Sequence, residues 1–420
     1  MDWSLIALLL AQILSCSVYS IIAPFFPSEA HKKNIGSGLV GVIFSGYPIA
    51  ASLSSLFFAK FISKIGRKRL LLLGCLCEGF SMLGFGTAPF FPRNSFIVIT
   101  LISRFCQGLG AGAISTATFA IIACVYSEKI ELVLGFVQSV TGVGFLMGPL
   151  VGSGLYALEG FSFLFFTYGT IFLIFVPIMH FMLPRDTKYA KTKDDIELKN
   201  FFRIPTVVFD GILQILSITS FSFLNPTFSD HLATYGISTA ESGIMFTIPS
   251  VMYALSVFIL NYIHLGRKSI MIIGLAIVGI ADFHLGPWKY ALLPHKLWVV
   301  IVSLAVFGFG MGLCQLPALP DMVEDSKKVL NQYTEFQVSD SLSGILASAF
   351  YLGEMIGPPL AGILTDEIGF ANSEAAIGMT LLIYAIVYIT FCYLHQKKNK
   401  YKANSLLIEK DIELEIKIDK

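Results

Sequence analysis

Long apolar runs separated by short polar breaks extend over most of the chain. Each run is close to the roughly 20 residues that a helix needs to cross the ~30 Å hydrocarbon core of a bilayer. The first six runs cover about 4–26, 38–62, 69–88, 96–125, 131–156 and 161–183, and the second six cover about 206–228, 240–264, 269–287, 297–320, 342–364 and 372–394. The pattern predicts an all-α membrane protein with twelve transmembrane helices.

Composition supports a polytopic membrane protein and excludes other classes. The chain has 420 residues, of which 55% are hydrophobic and 14% charged, whereas soluble proteins carry about 25% charged residues. A net charge of +1 offers no basic face for nucleic acid. The seven cysteines fall within apolar runs without metal-ligand spacing, so neither a metal nor a cofactor is predicted. The first run, from Ser4, lacks a basic leader and a clear cleavage site and is interpreted as a retained span.

The distribution of basic residues predicts the orientation, because cytosolic loops are enriched in Lys and Arg. With both termini in the cytosol, loops and tail on that side hold 23 of the 29 basic residues. Arg104 lies within a span, and the remaining five are Lys32, Lys33, Arg93, Lys289 and Lys296.

Three short patterns occur twice, in the same order and at nearly one offset, which is 200, 200 and 209 residues. The pairs are Gly66-Arg67-Lys68 with Gly266-Arg267-Lys268, Gly108-x-Gly110-x-Gly112 with Gly308-x-Gly310-x-Gly312, and Gly144-x3-Gly148-Pro149-x2-Gly152 with Gly353-x3-Gly357-Pro358. Such repetition indicates a duplicated fold. We predict two pseudo-symmetric six-helix bundles, 1–183 and 206–395, joined by a cytosolic linker, 184–205, and followed by a disordered cytosolic tail, 396–420.

A permanent charge interrupts the fourth run. Arg104 and Gln107 lie in a stretch that is otherwise apolar from about 95 to 125. A charge there costs about 3 kcal/mol or more unless it faces a wet cavity or a carboxylate. Arg104 therefore indicates a polar pathway through the membrane, with a structural ion pair as the alternative.

Two acidic residues are candidate partners of Arg104. Glu354 lies about 12 residues into its run, ~18 Å from the cytosolic end, and Arg104 lies ~12 Å from the other side. In a ~30 Å core they reach nearly one depth, so Glu354 is the predicted proton-coupling carboxylate, with a structural role as the alternative. Glu78 is also intramembrane and is the other possible partner of Arg104, whereas Asp282 is expected to be structural.

Several of these motifs resemble those of the major facilitator superfamily, over residues 4–394. Arg104-x2-Gln107-Gly108-x-Gly110-Ala111 is similar to its fourth-helix motif, and Gly144-x3-Gly148-Pro149-x2-Gly152 to its fifth-helix antiporter motif. Phe61-x2-Lys64-x-Gly66-Arg67-Lys68 is similar to the motif between its second and third helices, although Ala59 and Ser63 replace that motif's Gly and Asp. The resemblance implies two bundles that rock about a central cavity.

Other segments resemble the vesicular amine transporters, most of all their polyamine branch. These segments are Ala23–Ala30, Phe223–Thr227, Leu285–Pro287, Gly357-Pro358 and Ile368–Phe370. That family exchanges lumenal protons for cytosolic amines. Asn225 stands where the family has an acidic residue before the seventh-helix proline.

The resemblance also implies residues that face the cavity or the interface between the halves. They could orient a ligand by hydrogen bonds, or could serve as helix–helix contacts; they are Gln12, Tyr19, Gln138, Asn225 and Gln315. Pro149 and Pro358 are expected to bend their helices and the nearby glycines to allow close crossing.

The sequence therefore predicts a secondary active transporter working by alternating access, a proton-coupled antiporter of small organic cations in a vesicle membrane. Its expected partners are the organic substrate, protons and the lipid bilayer, and it is expected to be a monomer. The alternatives are an uncoupled facilitator or a carrier of another organic solute, and, from another class, a receptor or scaffold that transports nothing. No nucleophile–base pair or metal cluster indicates an enzyme.

Overall fold

A computed structural model describes residues 3–126, 130–183, 198–260, 262, 264–286 and 294–418, and this part of the chain is built from helices. The α-helices are α1 (Trp3–Ser20), α2 (Phe26–Lys32), α3 (Ser37–Ile65), α4 (Arg67–Thr87), α5 (Arg93–Val125), α6 (Ile130–Met182), α7 (Pro205–Phe223), α8 (Phe228–Ala233), α9 (Thr239–Met245), α10 (Thr247–Leu260), α11 (Arg267–Leu285), α12 (Leu297–Gln315), α13 (Ala318–Val329), α14 (Glu335–Ile368) and α15 (Phe370–Ile418). Short 3₁₀ turns occupy Ala88–Phe90 and Leu198–Arg203.

These helices account for the twelve predicted spans. Ten helical segments of the described chain are long and apolar enough to cross a membrane. One of them, Val140–Met182, contains two predicted spans joined at a sharp bend, where Gly160 adopts a φ of 77°. Such a φ is accessible to glycine at little cost. The remaining predicted span, 342–364, lies within α14, and the twelve-helix fold is confirmed.

Each half of the chain has its own apolar core. One large cluster of buried side chains runs from Ala7 to Leu183, and a second runs from Leu213 to Tyr388. We call the helices α1–α6 the first bundle and α7–α15 the second bundle. Two pseudo-symmetric bundles require one core in each half of the chain. The prediction of two bundles is therefore also confirmed.

The repeated glycines occupy equivalent crossings in the two bundles. A Cβ added to Gly108 on α5 would lie 2.2 Å from the carbonyl oxygen of Tyr47 on α3. In the second bundle, a Cβ on Gly308 of α12 would lie 2.2 Å from the carbonyl oxygen of Pro249 on α10. Only glycine permits backbones to approach so closely. The repeat in the sequence is therefore a repeat in helix packing.

The second glycine of each pattern, Gly110 or Gly310, lies equally close to a second helix of its bundle. A Cβ on Gly110 would lie 2.8 Å from the carbonyl oxygen of Gly74 on α4, and one on Gly310 would lie 3.0 Å from that of Gly274 on α11. All four positions are related by the 200-residue offset. Small residues here hold α5 and α12 between two helices of their own bundle.

The glycine–proline patterns pack α6 onto α1 and α14 onto α7. Cβ atoms added to Gly148 and Gly357 would lie 2.6 Å from the carbonyl oxygens of Ser17 and Thr219 respectively. Gly144 and Gly353 face the same helices as these, whereas Gly152 faces Ile21 and Phe25 in the turn after α1. Both patterns therefore fix contacts within a bundle.

The prolines of these patterns instead lie against the opposite bundle. A Cβ on Gly41 of α3 would lie 2.1 Å from the carbonyl oxygen of Pro358, and a Cβ on Gly243 of α9 would lie 2.8 Å from that of Pro149. These two contacts join the bundles at the end that carries the turn before α3, where Ser37 also approaches Gly362. We call it the closed end.

We expect the substitutions Gly41→Ala and Gly243→Ala to open the closed end. A methyl group cannot fit against the facing main chain, and overpacking of this kind costs about 1–3 kcal/mol, which would reduce the closed population roughly 5- to 150-fold. The distance between spin labels at Phe90 in the first bundle and Glu367 in the second, both exposed, measures the effect. The matched control is Gly344→Ala, where the added Cβ meets nothing within 4 Å. An unchanged distance in both variants would contradict the packing argument.

Candidate functional site

Arg104 is enclosed by aromatic rings in the first bundle. Its side chain is on α5 and has no exposed surface. The guanidinium carbon lies 4.8 Å from the centre of the Tyr47 ring, 5.7 Å from that of Phe44 and 5.9 Å from that of Tyr19. Aromatic faces attract cations most strongly where water is excluded. The rings therefore supply part of the stabilisation that a charge at this depth needs.

Neutral groups provide the hydrogen bonds of Arg104. One terminal nitrogen donates to Oε1 of Gln107 at 3.0 Å and the other to the carbonyl oxygen of Phe44 at 3.5 Å. Gln107 is held in turn by a contact of 3.4 Å from its amide nitrogen to Sδ of Met82. Within the described chain no carboxylate lies within 4.0 Å of the guanidinium, so Arg104 does not form the direct ion pair given above as an alternative.

Glu78 is a buried carboxylate of the same bundle, and only one of its two oxygens accepts a hydrogen bond in the described structure. It lies on α4 with no exposed surface, and the Ser15 hydroxyl donates to its Oε1 at 2.6 Å. Its Oε2 has no hydrogen-bond partner in the described structure. Arg104 contributes to its electrostatic surroundings without touching it.

Glu354 places a second carboxylate opposite, on α14 of the second bundle. The residue is 2% exposed, and its Oε1 has no hydrogen-bond partner among the described residues. The Tyr19 hydroxyl and the Arg104 guanidinium both contribute to its electrostatic surroundings. The structure thus brings Arg104 and Glu354, which are 250 positions apart in the sequence, to one point.

Tyr19 connects the two bundles at this point. Its hydroxyl accepts a hydrogen bond of 3.2 Å from Nδ2 of Asn225 on the second bundle, and its ring packs on Tyr47 and Phe145. Asn225 and Glu354 therefore approach the first bundle through the same side chain. Relative movement of the bundles must change the surroundings of the Tyr19 hydroxyl.

A small cavity adjoins Tyr19 on the side of the closed end. It measures about 30 Å³ and lies between the bundles. Tyr19 and Asn225 supply its polar wall, whereas Phe145, Phe221 and Phe228 supply apolar rings. In this conformation the cavity has room for about one water molecule, so an organic cation could use both kinds of wall only after the bundles separate.

The other predicted polar residues make contacts within their own bundles. Nε2 of Gln12 lies 3.5 Å from Thr141 Oγ1 on α6, and Nε2 of Gln315 donates to Ser217 Oγ on α7 at 3.0 Å. Both residues therefore connect helices in this structure, which is the alternative given above to a role in ligand binding. The side chain of Gln138 lies outside the described residues.

The second copy of the loop pattern holds a charge cluster. Nζ of Lys268 contacts the carboxylates of Asp321 and Asp325, and Arg267 pairs with Glu324 at 2.7 Å. In the first copy, Nζ of Lys68 donates to the carbonyl oxygen of Leu183 at 2.9 Å. Gly66 has a φ of 92° between α3 and α4, so Gly66 and Arg67 form a tight turn there, and Gly266 occupies the equivalent turn before α11.

Sequence reasoning missed a repeated pair of buried side chains. Ser220 on α7 donates to Oδ2 of Asp282 on α11 at 3.0 Å, just as Ser15 on α1 donates to Glu78 on α4. The two serines are 205 positions apart and the two acids 204. The offset of the glycine repeats was the signal that could have found this pair. The aromatic cage around Arg104 had no such signal, since Tyr47 belongs to no repeated pattern.

Two bundles of membrane-spanning helices with buried polar groups at their interface are the architecture of a membrane transporter. Comparison with known families agrees: the Major Facilitator Superfamily matches residues 8–210 and 211–412. The chain belongs to this superfamily, and it is an integral multi-pass membrane transporter.

Relatives within the superfamily include vesicular proteins. The chain is 29% identical to the mouse MFS-type transporter SLC18B1 over 384 residues, covering 89% of this chain and 82% of that one, and 27% identical to the human SLC18B1 over 94% and 87%. It is 23% identical to the mouse synaptic vesicular amine transporter, over 87% of this chain and 68% of that one.

Solved structures show the same fold at low sequence identity. A bacterial homologue of the human lysosomal transporter Spinster, in an inward-facing occupied conformation, superposes with a TM-score of 0.73 at 14% identity, covering 94% of this chain and 96% of that one. The nucleoside transporter NupG superposes with a TM-score of 0.71 at 13% identity, over 93% and 99%. These likenesses concern the fold alone.

We expect Arg104→Lys to destabilise the protein even though the charge is kept. A lysine ammonium cannot reproduce the planar fork that reaches Gln107 and the Phe44 carbonyl together, and losing these bonds costs about 1–3 kcal/mol. Thermal unfolding in detergent should show a lower midpoint. Arg93→Lys is the control, because Arg93 is exposed at the start of the same helix. Equal midpoints for the two variants would count against this role.

Proposed function

We propose that the protein is a proton-coupled antiporter that exchanges protons for small organic cations, such as polyamines or monoamines, across a vesicle membrane. The observation that carries the proposal is the pair of buried carboxylates flanking an arginine with which neither forms an ion pair. Glu78 and Glu354 each keep one oxygen without a hydrogen-bond partner. Groups in this state can take up a proton or a cation without first breaking a strong bond.

Glu354 is the proposed coupling residue. It belongs to the second bundle, whereas its neighbours Tyr19 and Arg104 belong to the first. When the bundles rock apart, Glu354 separates from the arginine that favours its ionised form. Ionised Glu354 can receive a cationic substrate, and protonated Glu354 can release it, so that substrate and proton occupy the site alternately.

Glu78 has a different proposed role, because both it and Arg104 belong to the first bundle. Its distance from Arg104 changes little when rigid bundles rock. Held by Ser15, it balances part of the arginine charge in every state. This leaves Glu354 as the carboxylate whose surroundings depend on conformation.

The wall of the cavity supports an organic cation as the substrate class. Rings of Tyr19, Phe145 and Phe228 line the cavity, with Asn225 as a polar contact. An amine can bind such rings through its positive charge and its carbon chain together. The similarity to a synaptic vesicular amine transporter supports the same class.

Location and assembly complete the proposal. The excess of basic residues in the loops on the side of the termini supports termini in the cytosol, and the vesicular relatives support an endomembrane vesicle. Each bundle packs on the other within one chain, with the site between them, which supports a monomer as the working unit.

We expect Glu354→Gln to uncouple transport from the pH gradient. In proteoliposomes with an acidic interior, the unmodified protein should accumulate labelled spermidine or a labelled monoamine, and an uncoupler should abolish accumulation. The variant should lose pH-driven uptake by tenfold or more yet retain exchange of internal for external substrate, because glutamine preserves shape but binds no proton. Glu78→Gln is the matched control and should keep the pH dependence.

Other outcomes identify the alternatives. Uptake that survives the uncoupler would identify a facilitator, and unchanged pH dependence in Glu354→Gln would refute the coupling role. No uptake from a broad panel of cations and anions would favour a receptor or scaffold.

A further inference from the structure

An ion pair joins the two bundles at the closed end. Nε2 of His31 on α2 lies 2.7 Å from Oδ2 of Asp230 on α8, and both side chains are 38% exposed. His31 belongs to the first bundle and Asp230 to the second, so the pair exists only while these ends are together. The central site does not use either residue.

A second carboxylate of the second bundle crosses at the same end. Oδ2 of Asp366 accepts a hydrogen bond of 2.8 Å from the backbone N–H of Gly38, and Oδ1 one of 3.3 Å from that of Ser37. These are donors of the first turn of α3, where a negative charge is favoured. Unlike the contact of His31, this one involves no histidine.

The remaining ionisable groups around His31 are otherwise engaged. From its own helix, Glu29 pairs with Lys32 at 2.7 Å, and the adjoining Lys33 donates to the carbonyl oxygens of Pro89 and Phe91.

From the second bundle, His231 stacks on Phe370 with ring centres 4.3 Å apart, and burial lowers its pKa to about 4. The neighbouring His295 acts on the pKa of His231 in the same direction. His231 therefore stays neutral in the range where His31 changes charge.

Asp230 makes the affinity of His31 for a proton depend on conformation. The hydrogen bond that His31 donates to Asp230 raises the pKa of His31 above its ordinary value, and the charge of Asp366 acts in the same direction. In a state with the bundles apart, His31 returns to the ordinary value of about 6.5. The closed state binds the proton more tightly. The stabilisation is therefore complete below that ordinary value and is lost as pH rises through the raised one.

We propose that His31 and Asp230 form a proton-binding site, separate from the central carboxylates, whose protonation holds the bundles together at the closed end. The proposal rests on the alternating-access function above. Under the proposed orientation this end faces the vesicle lumen. An acidic lumen would then favour the state closed toward it, which directs the empty or proton-loaded carrier back to the cytosol.

The distance between spin labels at Phe90 and Glu367, introduced as unnatural amino acids, tests the proposal without substrate. Between pH 5 and 8 we expect the unmodified protein to shift from the short to the long distance as pH rises, because each unit of pKa difference between states is tenfold in population. His31→Gln should remove most of this pH dependence. The control His284→Gln should retain it, because Nδ1 of His284 lies 2.8 Å from the carbonyl oxygen of Ile280 on its own helix, α11.

Two further variants keep the test independent of folding defects. His31→Arg keeps a positive charge at every pH and should favour the short distance throughout, whereas Asp230→Asn should weaken closure at low pH. A pH dependence in His31→Gln or His31→Arg as large as that of the unmodified protein would overturn the proposal. A pH-dependent distance in a protein without uptake would instead refute the proposed transport and leave this site standing.

Discussion

The cost of a permanent charge inside the bilayer governs the arrangement of this protein. Arg104 has no exposed surface, and its nearest groups are rings, an amide and a carbonyl oxygen. Each compensates part of the desolvation cost, and the two carboxylates act from further away. A direct ion pair would be stronger but also harder to break during a transport cycle. The looser arrangement stabilises the arginine charge in the membrane interior without binding either carboxylate directly to it.

Sequence patterns predicted the fold well because its determinants are local. The length of an apolar run sets a span, and glycines at fixed offsets set a crossing, so twelve helices in two bundles followed from the order of residues. The depth of Arg104 and Glu354 followed from the helical rise in the same way. Depth does not give the rotation of a helix about its axis, however, and the surroundings of Arg104 depend on that rotation. The cage formed by Tyr47 and Phe44 consequently could not be predicted from the sequence. The Ser15 contact to Glu78 could have been found only through its repeat, Ser220 with Asp282.

The two bundles repeat the same helix packing but do not carry the same buried polar residues. Both bundles pair a serine with a buried acid, Glu78 in one and Asp282 in the other. At the 200-residue offset, however, the position of Arg104 is occupied by Leu304, which is buried and apolar. The second bundle thus supplies a carboxylate to the centre without a guanidinium of its own. This asymmetry confines the guanidinium to one half and places the carboxylate of the other half across the interface from it.

The contacts of Gly41 with Pro358 and of Gly243 with Pro149 are made by main-chain atoms. Because every residue type carries the same carbonyl group, this seal places few demands on the side chains that line the chamber nearby. Related proteins can therefore replace those side chains and transport other substrates while the main-chain contacts between the bundles are retained. Main-chain contacts join the bundles and side chains select the substrate, so the substrate can change in evolution without loss of the fold.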